Sequence, residues 1–236
     1  MGSVLVKDDC FVFFDMDDTL IEWTVSWSDA FVQAAGSVGV TVHPAKSLAA
    51  LKRAFTTFYH DCIEEHAKSG DERAFWLDYD GRVLESLGVT SGLAEAREQV
   101  VDLLMQPGSR RLYVEVPEVL QALSEQGIKL GIITSRPLAE PDLTALGIRK
   151  YFHPLIDAFT AKSAKSKGHM FHLAAEVVEG ISAWHVGDNY EDDVVRARSA
   201  GFRPVLVDRR GECDGLDCPK VRNLWELVTL LQEAKG

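Results

Sequence analysis

No stretch of this 236-residue chain approaches the roughly 18 consecutive apolar residues that a membrane-crossing helix needs. The amino terminus has no apolar core of signal-peptide length, and no long Lys/Arg run occurs anywhere. With a formal net charge of −11, the chain is poorly suited to nucleic acid or an anionic membrane surface, so any anion-binding site must be local. Cysteine is sparse: Cys10, Cys62, Cys213 and Cys218. Cys10 and Cys62 sit among apolar neighbours and read as small core side chains. Cys213 and Cys218 supply only half of a tetrahedral zinc set. His169 and His172 have no further ligand beside them and read as surface or half-buried histidines. Internal repeats and low-complexity segments are also missing. These absences suit a protein of the reducing cytoplasm.

What is present is a core. Hydrophobic residues make up 46% of the chain and charged residues 26%, which fits a folded globular protein. Short, buried-type strand patterns occur at 9–14, 129–134, 182–187 and 203–208, with a weaker one at 154–159. Helical patterns lie between and after them at 116–127, 168–180, 190–201 and 223–236. Strands alternating with helices predict an α/β fold, a Rossmann-like, doubly wound parallel sheet with ligands at the carboxyl ends of its strands. The stretch from 21 to 114 breaks the alternation and reads as helical throughout. It is therefore an all-helical insertion in a core formed by 1–20 and 115–236.

The stretch "FVFFDMDDTLIEW" sets Asp15, Asp17 and Asp18 at the end of the first strand. Two like charges about 4 Å apart repel by about 4 kcal/mol at an effective dielectric of 20. That is a large fraction of the roughly 5–15 kcal/mol that keeps a domain folded, so a bound cation is the simplest compensation. Other strands end in polar residues too: Thr134 and Ser135 after the second, and Asp188, Asp192 and Asp193 in "GDNYEDD". Lys162, Lys165 and Lys167 lie between. Carboxylates on two strand ends, a hydroxyl on a third and a nearby ammonium make a site for phosphate and magnesium, which takes hard oxygen ligands.

In order and spacing, "DMDDTL", "IITS", the lysine and "VGDNYEDD" resemble the four motifs of the haloacid dehalogenase superfamily, specifically its phosphatase branch. The resemblance spans about residues 9–21 and 115–234, and the helical insertion matches the family's type 1 cap by position and length. It implies that Asp15 is the nucleophile and Asp17 the general acid and base, and that Thr19 steadies the turn between strand and insertion. Thr134, with Ser135 beside it, corresponds to the phosphoryl-binding hydroxyl. The metal, Mg2+, is then held by Asp15, the Asp17 carbonyl and Asp188. Asp193 has the spacing of the acid that supports the site, with Asp192 as its rival.

The expected activity is magnesium-dependent hydrolysis of a small phosphorylated metabolite through an aspartyl-phosphate, under a cap that excludes large substrates. A phosphomutase would share every motif. A 2-haloacid dehalogenase fits less well, since the resembling dehalogenases lack the second acid that Asp17 supplies and need no metal. A non-catalytic binding protein on a retained fold is the rival of another class.

Relatives often write the lysine segment with "KP", whereas this chain has "AKSAKSKGHMF". In "HMFHLAAEVV", Phe171, Ala174, Ala175 and Val178 share one helical face, so Phe171 points to the sheet. Relatives place the lysine six residues before that phenylalanine, which selects Lys165. Arg136 stands near where many relatives have Asn or Gly, either to contact substrate or to form a surface ion pair. Trp23, Trp27, Trp76 and Tyr79 either grip a leaving group or pack the helical core, and Arg73 and Arg82 are undecided in the same way.

Overall fold

The structure, a computed structural model, describes residues 10–178 and 181–234. The chain divides into two compact units. One holds the described residues up to Glu22, Leu112–Ala161 and those from Lys165 onward; the other holds Trp23–Arg111 with Lys162–Ala164. The strands are β1 (Cys10–Phe14), β2 (Ile21–Trp23), β3 (Arg110–Leu112), β4 (Lys129–Ile133), β5 (Phe152–Ile156), β6 (Ser182–Gly187), β7 (Arg203–Val207) and β8 (Lys220–Val221). Helices α1 (Trp27–Ser37), α2 (Pro44–Thr57), α3 (Tyr59–His66), α4 (Glu72–Ser86) and α5 (Leu93–Met105) build the helical unit. Helices α6 (Val116–Glu125), α7 (Glu140–Ala145), α8 (Ala158–Ala161), α9 (His169–Val177), α10 (Arg196–Ser199) and α11 (Leu224–Glu233) belong to the sheet unit.

The main sheet runs β5-β4-β1-β6-β7-β8, and every described pairing in it is parallel. Side chains alternate across β1, and both sides are apolar. Val12 and Phe14 join a core with Leu120, Ile132 and Leu227; Phe11 and Phe13 join a second with Phe171 and Phe202. A strand buried on both faces needs helices on both, which is the Rossmann-like α/β arrangement. Phe171 is fully buried, as its helical phase predicts.

The helical unit packs an aromatic core in which Tyr59 meets Phe75 and Tyr79 edge-on at 5.3 and 5.1 Å. Helices α1 and α4 start on side-chain caps, Ser26 accepting from the Asp29 N–H and Asp71 from the Ala74 N–H. No helix among the described residues is long and apolar enough to cross a membrane.

Several expectations change in detail. Residues 21–114 are not helical throughout, because β2 and β3 pair as a two-stranded ribbon and the Thr24 N–H donates to the Ser109 carbonyl at 2.9 Å. Within that stretch the helix also breaks between α2 and α3 at Phe58, whose φ of −135° leaves the helical region. The strand expected at 154–159 lies at 152–156, since the Asp157 carboxylate accepts from the Ala139 and Thr160 N–H groups and turns the chain. The helix over 190–201 opens as a wide π-type turn, Tyr190–Val195. Asp9, Glu179, Gly180, Lys235 and Gly236, which end expected elements, lie outside the described residues.

Candidate active site

After β1 the chain builds β4 and β5 on one side of it, then crosses to build β6, β7 and β8 on the other. This makes β1 the switch point of the sheet, and the crevice beyond its carboxyl end is where such sheets hold ligands. Asp15 follows β1, Thr134 and Ser135 follow β4, and Asp188 follows β6. The Asp15 N–H donates to the Val186 carbonyl at 2.8 Å, tying the first acid to β6.

Of the three lysines, Lys162 and Lys167 are exposed, whereas Lys165 is 3% exposed and its ammonium sits among the acids. It forms a close ion pair with Asp15 Oδ1 and lies 2.7 Å from Asp193 Oδ1. Lys165 opens a short 3₁₀ turn ending at Lys167, so Lys167 precedes α9 and is not on its first turn. Asp193, not Asp192, meets the lysine. Its Oδ2 accepts the Asn189 N–H at 2.9 Å, and its Oδ1 lies 2.9 Å from His185 Nε2. A side chain at Gly187 would run into this carboxylate, so glycine is required there. The Asp192 N–H is capped by Asn189 Oδ1 at 3.1 Å.

These contacts set the charges. Burial pushes the Asp15 carboxyl up to about 7; Lys165 opposes the rise, and the charges of Asp193 and Asp17 add to it. Asp188 is driven well above the ordinary carboxylate range by burial, then by Asp15, Asp193 and Asp18, against Lys165. Burial also disfavours a charge on Asp193, but Lys165 and His185 outweigh it and hold this carboxyl low. Lys165 is likewise held up by Asp15 and Asp193 against burial. Burial lowers His185, so the neutral ring presents Nε2–H to the ionised Asp193, an acceptor-only group.

Asp15, Asp188 and Asp193 can each place one oxygen within 4.8 Å of the others, a donor set that could hold a metal ion. Asp193 already serves Lys165, His185 and Asn189. Asp15 and Asp188 are therefore the better ligands, and their raised proton affinity is what acids gathered around a cation's position show without its charge.

Asp17 is 34% exposed at its side chain and is met by a buried guanidinium: Arg136 Nη1 lies 3.0 and 3.3 Å from its two oxygens. Arg136 Nη2 lies 2.5 Å from Asp142 Oδ2. Of the two alternatives for Arg136, an ion pair does form, but with Arg136 only 3% exposed it is buried and not a surface pair. Its N–H donates to Thr134 Oγ1 at 3.3 Å, and Thr134 is itself buried, while Ser135 beside it is partly exposed.

The Thr19 hydroxyl is buried with no hydrogen-bond partner among the described residues. Arg209 holds the turn instead. It donates to the Thr19 carbonyl at 2.6 Å and the Asp18 carbonyl at 3.2 Å, pairs with Glu115 at 2.7 Å and lies 3.5 Å above the Tyr113 ring. The clamp suits a turn in which Asp18 has a φ of 56°, the left-handed region.

In the helical unit, Trp76 and Tyr79 are core side chains, and Trp27 packs on Trp23 and Trp76 at 5.4 and 5.0 Å. Arg73 pairs with Glu98 and Asp102 on the surface, and Arg82 joins Asp78 and Glu65. Sequence reasoning missed His185, Asn189, Glu115 and Arg209. Only His185 carried a signal, as the single polar ring in the apolar run "SAWHVG".

The model of the haloacid dehalogenase-like hydrolase family matches residues 11–201. The chain belongs to this family of hydrolases. The human haloacid dehalogenase-like hydrolase domain-containing protein 3 is 26% identical over 201 residues, covering 82% of this chain and 80% of the relative. Phosphoglycolate phosphatase of Vibrio vulnificus is 31% identical over 114 residues, 46% of this chain and 50% of that enzyme. The crystal structure of a 2-haloacid dehalogenase from Pseudomonas syringae superposes with a TM-score of 0.60 at 24% identity, covering 96% of this chain and 99% of that one. That likeness concerns the fold, and the residues must decide the chemistry.

Proposed function

We propose that the chain is a magnesium-dependent phosphomonoester hydrolase acting on a small phosphorylated metabolite. The observation that carries this reading is the buried Lys165 ammonium joined to both Asp15 and Asp193, with a second acid, Asp17, two residues after the first. The ammonium and a cation held by Asp15, Asp188 and the Asp17 carbonyl would neutralise phosphoryl oxygens that approach Asp15. Magnesium fits this all-oxygen donor set and supplies charge neutralisation of the phosphoryl group.

Asp15 attacks phosphorus through a carboxylate oxygen, and the bond from phosphorus to the leaving oxygen breaks. Asp17 gives that oxygen a proton and later takes one from the water that cleaves the aspartyl-phosphate, restoring Asp15 and releasing phosphate. The Thr134 hydroxyl, with its oxygen already accepting from Arg136, has its hydrogen left for a phosphoryl oxygen. Asp17 is also what favours this reading over 2-haloacid dehalogenation, since the family's dehalogenases lack that acid. The helical unit serves as the cap in this reading, and its residues are where a preference for one leaving group is to be sought.

The test is release of inorganic phosphate from a panel of phosphorylated metabolites, with magnesium and with EDTA. Turnover that needs magnesium and disappears in Asp15→Asn is expected. Phosphate release unaffected by EDTA and by Asp15→Asn, or chloride release from 2-chloropropionate in its place, overturns the reading.

A further inference from the structure

Arg136 is built as a brace. Its side chain is almost wholly buried, yet it holds two carboxylates of different kinds: Asp17, partly exposed at the end of β1, and Asp142, nearly buried on α7. Its backbone is fixed as well, since its carbonyl accepts the Ala158 N–H at 2.9 Å and its N–H donates to Thr134 Oγ1. The next turn is pinned by Asp157, whose carboxylate accepts the Ala139 and Thr160 N–H groups. A guanidinium held at both ends loses little freedom on binding and presents a planar, directional set of donors. An ion pair this deep does not rank high as a stabilising device, because desolvating the charges offsets much of their attraction.

We infer that Arg136, braced by Asp142, is a positioning residue for Asp17. It aims the carboxyl that gives a proton to the leaving oxygen as the phosphorus–oxygen bond breaks. Nη1 shares its donation between the two Asp17 oxygens, so either oxygen keeps lone-pair capacity for the transferred proton. This inference rests on Asp17 acting as acid and base in the hydrolysis proposed above. It predicts that Arg136 matters in proportion to how badly the leaving group needs a proton.

The experiment compares two aryl phosphates, p-nitrophenyl phosphate, whose leaving group departs readily as an anion, and phenyl phosphate, whose leaving group needs more help. Arg136→Ala should lower kcat on the order of 10²-fold for phenyl phosphate but only on the order of 10-fold or less for p-nitrophenyl phosphate, with KM little changed. Asp142→Asn, a change at the other end of the guanidinium, should show the same selective loss at smaller size. In the Arg136→Ala background it should add nothing further, because its effect passes through the guanidinium. Arg136→Lys keeps the charge without the fork and should retain the selective loss, which covers the case in which Arg136→Ala fails to fold. Equal losses on both substrates, or a loss expressed mainly in KM, overturn the inference alone. Turnover that survives in Asp15→Asn overturns the phosphatase reading and this inference with it.

Discussion

Two groups of acids, one in each unit, are built from similar parts and end in opposite electrostatic states. In the helical unit, Glu65, His66 and Asp78 come close enough to offer a cation three ligands, but Arg82 already occupies the place, 2.7 Å from Glu65 and 2.9 Å from Asp78. Burial works against the charge on Asp78, but hydrogen bonds from Arg82 and His66 outweigh it and hold that carboxyl below its ordinary range. In the sheet unit, Lys165 is the cation set among Asp15, Asp188 and Asp193; it satisfies Asp193 and leaves Asp15 and Asp188 with raised proton affinity. The first cluster is electrostatically finished by its own residues, and the second is left short of positive charge. That shortfall, more than acidity, separates a working site from a structural ion-pair network.

The largest expected difference lies in turnover. Asp15→Asn should lose on the order of 10³-fold or more, whereas Asp78→Asn should leave kcat within about twofold and lower stability by about 1 kcal/mol or less, as partly exposed pairs do. Comparable losses of activity in both would dissolve the contrast. The lysines sharpen it next. Lys165→Ala should lose both turnover and affinity for tungstate, a phosphate mimic, while the exposed Lys162→Ala and Lys167→Ala should keep both within about twofold.

A smaller effect is thermal and does not depend on turnover. Because Asp15 and Asp188 bind protons more tightly folded than unfolded, burying and crowding them costs nothing below the unfolded value near 3.8, and the cost grows as pH rises toward about 7. Added magnesium should therefore raise Tm more at pH 8 than at pH 5, and Asp188→Asn should remove most of that difference. An equal rise at both pH values would mean that the cation binds elsewhere.

The smallest effect belongs to the helical unit alone. Asp80 is 1% exposed, neither carboxylate oxygen has a hydrogen-bond partner among the described residues, and burial drives its carboxyl well above the ordinary range. The unfolded chain releases this proton near pH 4 and the folded chain holds it, so the unit loses stability as pH rises above that value. Asp80→Asn should be more stable than the parent at neutral pH, by a margin that widens as pH rises above about 4. A margin independent of pH, followed by thermal unfolding from pH 4 to 8, would show that Asp80 is ionised in the fold.

Much of this was legible in the residues. Four of the five expected strands lie where their apolar runs place them, to within a residue at the described ends, because a short run bounded by charge is a local signal. The acids after β1 and β6 and the hydroxyls after β4 could be read as strand-end residues for the same reason, and the buried phase of Phe171, combined with the lysine spacing of the family the chain resembles, selected Lys165. The misplaced strand at 152–156 and the broken helix at Phe58 were hidden because Asp157 and the aromatic packing act across the fold, not along the chain.

By itself, then, the sequence determined which functional groups this protein carries to the ends of its strands and in what order, since strand period and motif spacing are properties of neighbouring residues. Tertiary structure alone decided who neutralises whom. Arg136 reaches Asp17 across 119 positions, Lys165 reaches Asp15 across 150, and the His185 ring meets Asp193 beneath them. Parallel crossovers set those meetings, and burial, which no short stretch of sequence encodes, sets how strongly each acid holds its proton.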